Sequence, residues 1–147
     1  MQAFVNGMPA SPQSFGVPAM NFGQPRPNAT EVRYEFVFTR DELLRLAQRA
    51  YAQLVTELRA DRSDDEEEWP ELQRLRQLEF PSLDAVVDHE PAVAEMLLRR
   101  WINLELLNAI NPAAALADGP LYAFHSIDEI ELGHGTARLR GQAYRVR

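Results

Sequence analysis

Residues 31–38, EVRYEFVF, alternate between apolar and polar side chains. Alternation with a period of two places one set of side chains on each face of a strand. One face of this stretch is large and apolar, and it carries Val32, Tyr34, Phe36 and Phe38. The pattern predicts a strand that is buried on one side.

A helical pattern follows directly and predicts a helix over residues 40–60. Thr39 and Glu42 have the spacing of a capping box, in which each side chain binds the backbone N–H of the other residue. Asp41 adds negative charge at the positive end of the helix dipole. The apolar positions recur every three or four residues, at Leu43, Ala47, Ala50, Leu54 and Leu58.

The middle of the chain predicts shorter helices after an acidic linker at residues 61–68. Pro70 suits the first turn of a helix that ends near Glu79. Ser82 is placed to cap one or two further turns, and Asp88 is placed to cap a long helix from Pro91 to about Ile110. Three or four helices are therefore expected between the first strand and the C-terminal region.

The C-terminal region predicts strands at residues 121–127, 130–132 and 136–146. The turn GHG at residues 133–135 separates the last two, which is typical of a hairpin. Gly141 interrupts the alternation and is predicted to mark a bulge. We expect an α+β fold in which a C-terminal hairpin or three-stranded meander pairs with the first strand, with helices on one face.

Residues 1–29 differ from the remainder, which we interpret as one domain spanning residues 30–147. Five prolines interrupt this segment, and its pattern predicts an extended arm rather than regular structure. Apolar side chains on an arm suit burial against another protein. The candidate partner-binding residues are Phe4, Met8, Phe15, Val17, Met20 and Phe22. The alternative is that the arm folds back over its own sheet.

Composition excludes several chemistries. The chain has no cysteine and no lysine, so disulfides, thiolate nucleophiles, Schiff bases and a Walker-type phosphate loop are absent. The net charge of −7 disfavours nucleic acid as a partner. No motif indicates a cofactor, no apolar run is long enough for a membrane span, and no secretory signal is evident. The expected location is the cytoplasm, or a particle assembled there.

Two charged stretches are candidates for electrostatic contacts. The acidic one comprises Asp64, Asp65, Glu66, Glu67 and Glu68, and the basic one carries Arg138 and Arg140. The arginines have three interpretations: contact with an anion or nucleic acid, pairing with the acidic linker within or between subunits, and protection of an edge strand. The acidic stretch also suggests an alternative function, in which the protein is an acidic inhibitor or immunity-type protein that binds a basic partner.

The segment DAVVDHE at residues 84–90 is the best candidate for metal-dependent chemistry. Asp84 and Asp88 are four residues apart and share a face on a helix, and His89 lies beside them. Such groups bind divalent cations, but the same pattern is typical of a capped helix end, and no second histidine completes a zinc motif.

The sequence therefore favours a non-enzymatic interaction or structural subunit, acting as a homo-oligomer or in a larger assembly such as a bacterial or phage particle.

Overall fold

The computed structural model describes residues 1–16, 30–60, 68–110, 120–133 and 135–145. These form a mixed α+β fold with one six-stranded sheet in the order β2-β1-β4-β6-β5-β3. Its strands are β1 (Gln2–Val5), β2 (Met8–Ala10), β3 (Phe15–Gly16), β4 (Thr30–Thr39), β5 (Tyr122–Leu132) and β6 (Thr136–Arg145). Only the β3–β5 pair is parallel.

The α-helices lie between β4 and β5 in the chain, and a short 3-10 helix, Pro12–Ser14, precedes β3. The α-helices are α1 (Arg40–Ala60), α2 (Pro70–Gln77), α3 (Leu83–His89), α4 (Pro91–Met96) and α5 (Asn103–Ile110). Residues Leu97–Trp101 form a π-helical turn between α4 and α5. None of the helices in these ranges is long and apolar enough to cross a bilayer.

The predictions for β4, α1 and the C-terminal hairpin are confirmed. The inward face of β4 is buried, with Phe36 fully inaccessible. The capping box at the start of α1 is formed: the Thr39 N–H donates to Glu42 Oε1 at 3.1 Å, and the Glu42 N–H donates to Thr39 Oγ1 at 3.2 Å. β6 pairs with β4 along its whole length, as predicted for the C-terminal strand.

The predicted extended arm is wrong for residues 2–16, which supply three strands of the sheet. Asn6 and Gly7 both have positive φ, at 49° and 82°, which is the geometry of a two-residue type I′ hairpin turn. β1 and β2 leave this turn, and β1 then pairs with β4. Residues 2–16 are therefore part of their own sheet, which is closer to the alternative interpretation, in which the arm folds back on its own domain.

Three further details depart from the sequence-based expectation. The strands predicted at 121–127 and 130–132 are one strand, β5, whose register against β6 shifts twice, once on each side of Ser126–Ile127. The helix predicted from Pro91 to Ile110 is divided by the π-helical turn. Asp88 lies within α3, and Glu90 holds the N-cap position of α4 because Pro91 starts that helix.

Chain connectivity requires the sheet to be curled. Ala10 of β2 lies in the row of Phe36, and Phe15 of β3 lies in the row of Thr30, at opposite edges of the sheet. On a flat sheet these positions would be roughly 30 Å apart, given about 4.8 Å between strands and about 3.3 Å per residue. The five residue steps from Ala10 to Phe15 reach at most about 18 Å. The two edges must therefore bend towards each other.

Phe15 fills the interior of this curled sheet. Its side chain is fully buried, and its ring lies against Phe36, Tyr122, Phe124 and Tyr34 at centroid separations of 4.9, 5.0, 5.4 and 5.9 Å. Edge-to-face and offset-stacked pairs of this kind add to the free energy gained by burial. Phe15 thus anchors the two-residue strand β3 in the core.

Candidate functional site

The partner-binding residues proposed from the sequence occupy different environments. Phe15 packs in its own core, so it is not available on the surface. Phe4 is half-buried opposite Glu35 on the sheet face away from the helices. Met8, on the edge strand β2, is 69% exposed. Val17, Met20 and Phe22 lie outside the described residues.

The predicted electrostatic residues are also dispersed. Asp64, Asp65, Glu66 and Glu67 lie outside the described residues, and Glu68 accepts hydrogen bonds from the Arg76 guanidinium at 2.7 and 3.0 Å. The edge-strand interpretation of Arg138 and Arg140 is wrong, because β6 lies between β4 and β5. Arg138 is exposed on this interior strand.

Arg140 pairs with carboxylates of its own chain, but these lie on the neighbouring strands and not in the acidic linker. Its guanidinium contacts Glu35 at 2.5 Å on β4, and Glu129 at 3.2 Å and Glu131 at 3.5 Å on β5. Hydrogen bonds to Glu35 and then to Glu129 raise the pKa of Arg140 above its ordinary value. Arg140, Glu35 and Glu129 border an open depression of about 580 Å³ on the helix-free face, together with Phe4 and Arg33.

The metal candidates do not form a ligand group. Asp84 and His89 are exposed on α3, and Asp88 forms an ion pair with Arg40 at the start of α1. Side chains adjacent in a helix diverge by about 100°, which separates His89 from Asp88. Within the described part of the chain, no three His, Asp or Glu side chains converge as a metal site would require.

The strongest arrangement of surface groups lies where α2 begins, opposite the π-helical turn. Trp69 precedes Pro70 and has the extended backbone conformation that a following proline favours, with φ −59° and ψ 144°. Its carbonyl accepts the first backbone hydrogen bonds of α2, from Leu72 at 3.0 Å and Gln73 at 3.1 Å. The indole ring remains 50% exposed.

Arg100 covers one face of this indole. Its guanidinium carbon lies 4.0 Å from the centroid of the Trp69 ring, which is a close cation–π contact. The same guanidinium donates a hydrogen bond of 2.8 Å to Glu71 Oε1. Both the ring and the cation are thereby held in one orientation.

The buried carboxylate of Glu71 holds Arg100 and Trp101 in place. Its side chain is only 4% exposed, and Oε1 accepts hydrogen bonds from Arg100 and, at 2.9 Å, from Trp101 Nε1. A buried carboxylate requires such partners, because an unpaired one loses its hydration without compensation. Trp69, Glu71, Arg100 and Trp101 therefore form one connected unit, which we call the Trp69 cluster.

The π-helical turn accounts for the placement of Arg100 and Trp101. The Ile102 N–H donates to the carbonyl of Leu97 five residues earlier, at 3.0 Å. In a regular α-helix the side chains of Leu97 and Ile102 would point about 140° apart. Here both are buried, with Ile102 2% exposed and Leu97 0% exposed. The wider turn keeps both in the core while Arg100 and Trp101 face α2.

Only part of the Trp69 cluster could be predicted from the sequence. Arg100 and Trp101 have the composition of an interface anchor, but Glu71 resembles any acidic residue in the first turn of a helix, and Trp69 resembles the end of an acidic linker. Pro70 after an aromatic residue was the available signal for a fixed Trp69 backbone.

Comparison with known proteins does not assign the site. The chain matches no protein-family model, and no significant match was found among curated proteins or solved structures.

Proposed function

We propose that this protein is a non-enzymatic protein–protein interaction subunit and that the Trp69 cluster is its contact surface. The observation that carries the proposal is the half-exposed indole of Trp69, held under a guanidinium that a buried carboxylate fixes in turn. Tryptophan and arginine are the residues most enriched at the energetic centres of protein interfaces.

The rigidity of the cluster supports this role. A side chain that is already ordered loses little conformational entropy when it is buried by a partner. Trp69 meets this condition because Pro70 restricts its backbone and Arg100 restricts its ring. An exposed apolar side chain that is already ordered suits a binding surface. Solubility alone would favour a charged side chain at this position.

The chemistry of the cluster indicates what it would bury. One face of the Trp69 ring is occupied by Arg100, so a partner would cover the other face and the ring edge. Arg100 retains 34% of its side-chain exposure and still offers donors to a carboxylate or a carbonyl of the partner. The matching surface is therefore an apolar pocket beside a hydrogen-bond acceptor.

Site-specific photo-crosslinking in the native cells tests the proposal. A photoreactive amino acid replaces Gln73, which is exposed one turn along α2 from Trp69, or Gln48 as a control on α1. We expect a discrete protein adduct from position 73 that Trp69→Ala abolishes and that position 48 does not give. Loss of an interface-centre tryptophan weakens binding by about 30-fold or more.

The folded state of the variants must be matched for this comparison. Trp69→Ala leaves the Glu71–Arg100 and Glu71–Trp101 contacts in place, so urea unfolding should change by less than about 1 kcal/mol. An adduct at position 73 that persists unchanged in Trp69→Ala would contradict the proposal. So would a complete absence of adducts in the cells together with a monomeric mass at all concentrations.

A further inference from the structure

Residues 1–16 form a separable part of the fold. They supply β1, β2 and β3, which lie at both edges of the sheet, and they join the remaining chain only through residues 17–29. Their contacts span distant positions: β1 pairs with β4, β3 pairs with β5, and Phe15 fills the aromatic interior. Without this segment, β4 and β5 would become edges and the space of Phe15 would be empty.

The connection to the remaining chain is longer than its span requires. Gly16 lies in the same row of the sheet as Ala123, Tyr144 and Glu31, three strand spacings from β4. Measured along the sheet, that distance is about 14 Å, and the curl of the sheet shortens the direct path, so about five residues or fewer would cross it. The chain uses the thirteen residues 17–29, whose extended reach is about 45 Å or more.

We propose that residues 1–16 are an exchangeable segment, which can leave its own sheet and complete the sheet of a second copy of this chain. Every contact of the segment would be the same in both arrangements, because the acceptor surface is identical in the two copies. Exchange of an identical element between protomers is a low-cost route to dimers. The spare length of residues 17–29 supplies the reach.

The second copy is the occupant that the surface favours. The acceptor already matches this segment residue by residue, including the β1–β4 register and the hydrogen bond of 2.9 Å from the Arg33 N–H to Asn6 Oδ1. Residues 1–16 carry no charged side chain, so their transfer adds no side-chain charge repulsion between two acidic chains. Addition of strands to an open sheet edge is an established mode of recognition.

Concentration decides between the two arrangements. A segment tethered to its own acceptor has an effective concentration in the millimolar range. The intact chain should therefore be monomeric at micromolar concentration and should exchange measurably only near a millimolar. Shortening the connection below its required span removes the intramolecular arrangement and leaves the intermolecular one.

Two deletions in the full chain provide the test. Removal of residues 18–29 leaves one connecting residue, which reaches about 7 Å and cannot close even a curled sheet within one copy. Removal of residues 20–25 leaves seven, which reach about 28 Å and can. Light scattering should give twice the chain mass for the first variant at micromolar concentration and the single chain mass for the second.

A peptide of residues 1–16 identifies the contact. A fluorescein-labelled peptide should bind the variant lacking residues 18–29 at concentrations low enough to keep that variant from pairing with itself. The same peptide with Phe15→Ala should bind at least about a hundredfold more weakly, the factor that corresponds to the loss when a buried phenylalanine becomes alanine.

The outcomes are distinct from those at the Trp69 cluster. A dimer that Phe15→Ala dissociates, or Phe15-dependent peptide binding, supports exchange whether or not Trp69→Ala affects any partner. A monomeric variant that does not bind the peptide overturns the proposal. The proposal is also overturned if the deletion variant is unfolded and a millimolar concentration of the peptide does not refold it.

Discussion

Replacement of Phe15 by alanine is the most direct test of the packing of the N-terminal segment. The side chain is fully inaccessible and contacts four aromatic rings within 6 Å. A buried phenylalanine removes about 150–250 Å² from water, which at about 25 cal/mol per Å² gives an upper bound near 6 kcal/mol. Measured Phe→Ala losses are about 3–5 kcal/mol, so we expect the free energy of unfolding to fall by about 4 kcal/mol.

Urea denaturation followed by far-UV circular dichroism measures this loss. The midpoint should move to lower urea while the slope stays unchanged, because the native fold and the exposed surface are retained. For a chain of this size, a loss of about 4 kcal/mol lowers the melting temperature by about 8–16 °C. That is a large fraction of a typical domain's stability of about 5–15 kcal/mol.

Met8→Ala is the matched control for Phe15→Ala. Met8 lies in the same segment and is 69% exposed, so its removal should change stability by no more than about 0.5 kcal/mol. Phe15→Leu should fall between the two, since it keeps most of the buried volume but loses the ring contacts. Equal and small effects of Phe15→Ala and Met8→Ala would refute the packing of residues 1–16 onto the sheet.

Further predictions concern the strands and α1. Gly141→Ala should lower the free energy of unfolding by about 3 kcal/mol, because its Cβ would lie 2.0 Å from the Ser126 carbonyl oxygen and 2.7 Å from Tyr34 Oη. Gly135→Ala is the control, since a Cβ at that position would lie in open space. Equal urea midpoints for the two variants would contradict this prediction. Thr39→Ala should lower the free energy of unfolding by about 1 kcal/mol through loss of the α1 cap, which urea unfolding would also detect. Burial raises the pKa of Tyr34, so the folded state holds a proton that the unfolded state releases near pH 10. Stability should therefore fall as pH rises above about 10, and less so in Tyr34→Phe; an identical pH dependence of urea unfolding would contradict this assignment.

Local patterns predicted those elements whose signals lie close together in the sequence. The α1 helix has its cap and its apolar stripe within one stretch, and both are formed. The same rules should have detected the hairpin at Asn6-Gly7, since this dipeptide between apolar residues is a strong signal for a type I′ turn. The five prolines of residues 1–29 outweighed it in the prediction of an arm.

The remaining features depend on contacts between distant residues. Glu71 meets Arg100 and Trp101 across about thirty positions, and no local pattern determines that pairing. Two register shifts turn two predicted strands into one, because each shift restores the inward direction of the apolar side chains that follow. The charge pattern predicts that Arg140 pairs with the acidic linker, but its partners are Glu35 and Glu129, which the strand order places beside it.

The pairing of β3 with β5 also affects how the chain folds during synthesis. Phe15 pairs with Tyr122, so it leaves the ribosome more than a hundred residues before its partner is made. At about 5–20 residues per second, this delay lasts roughly 5–20 seconds. Contacts so distant in sequence also form slowly once both strands exist. We therefore expect the prolines of residues 1–29 to hinder this apolar segment from joining other nascent chains as a strand before its own sheet is complete.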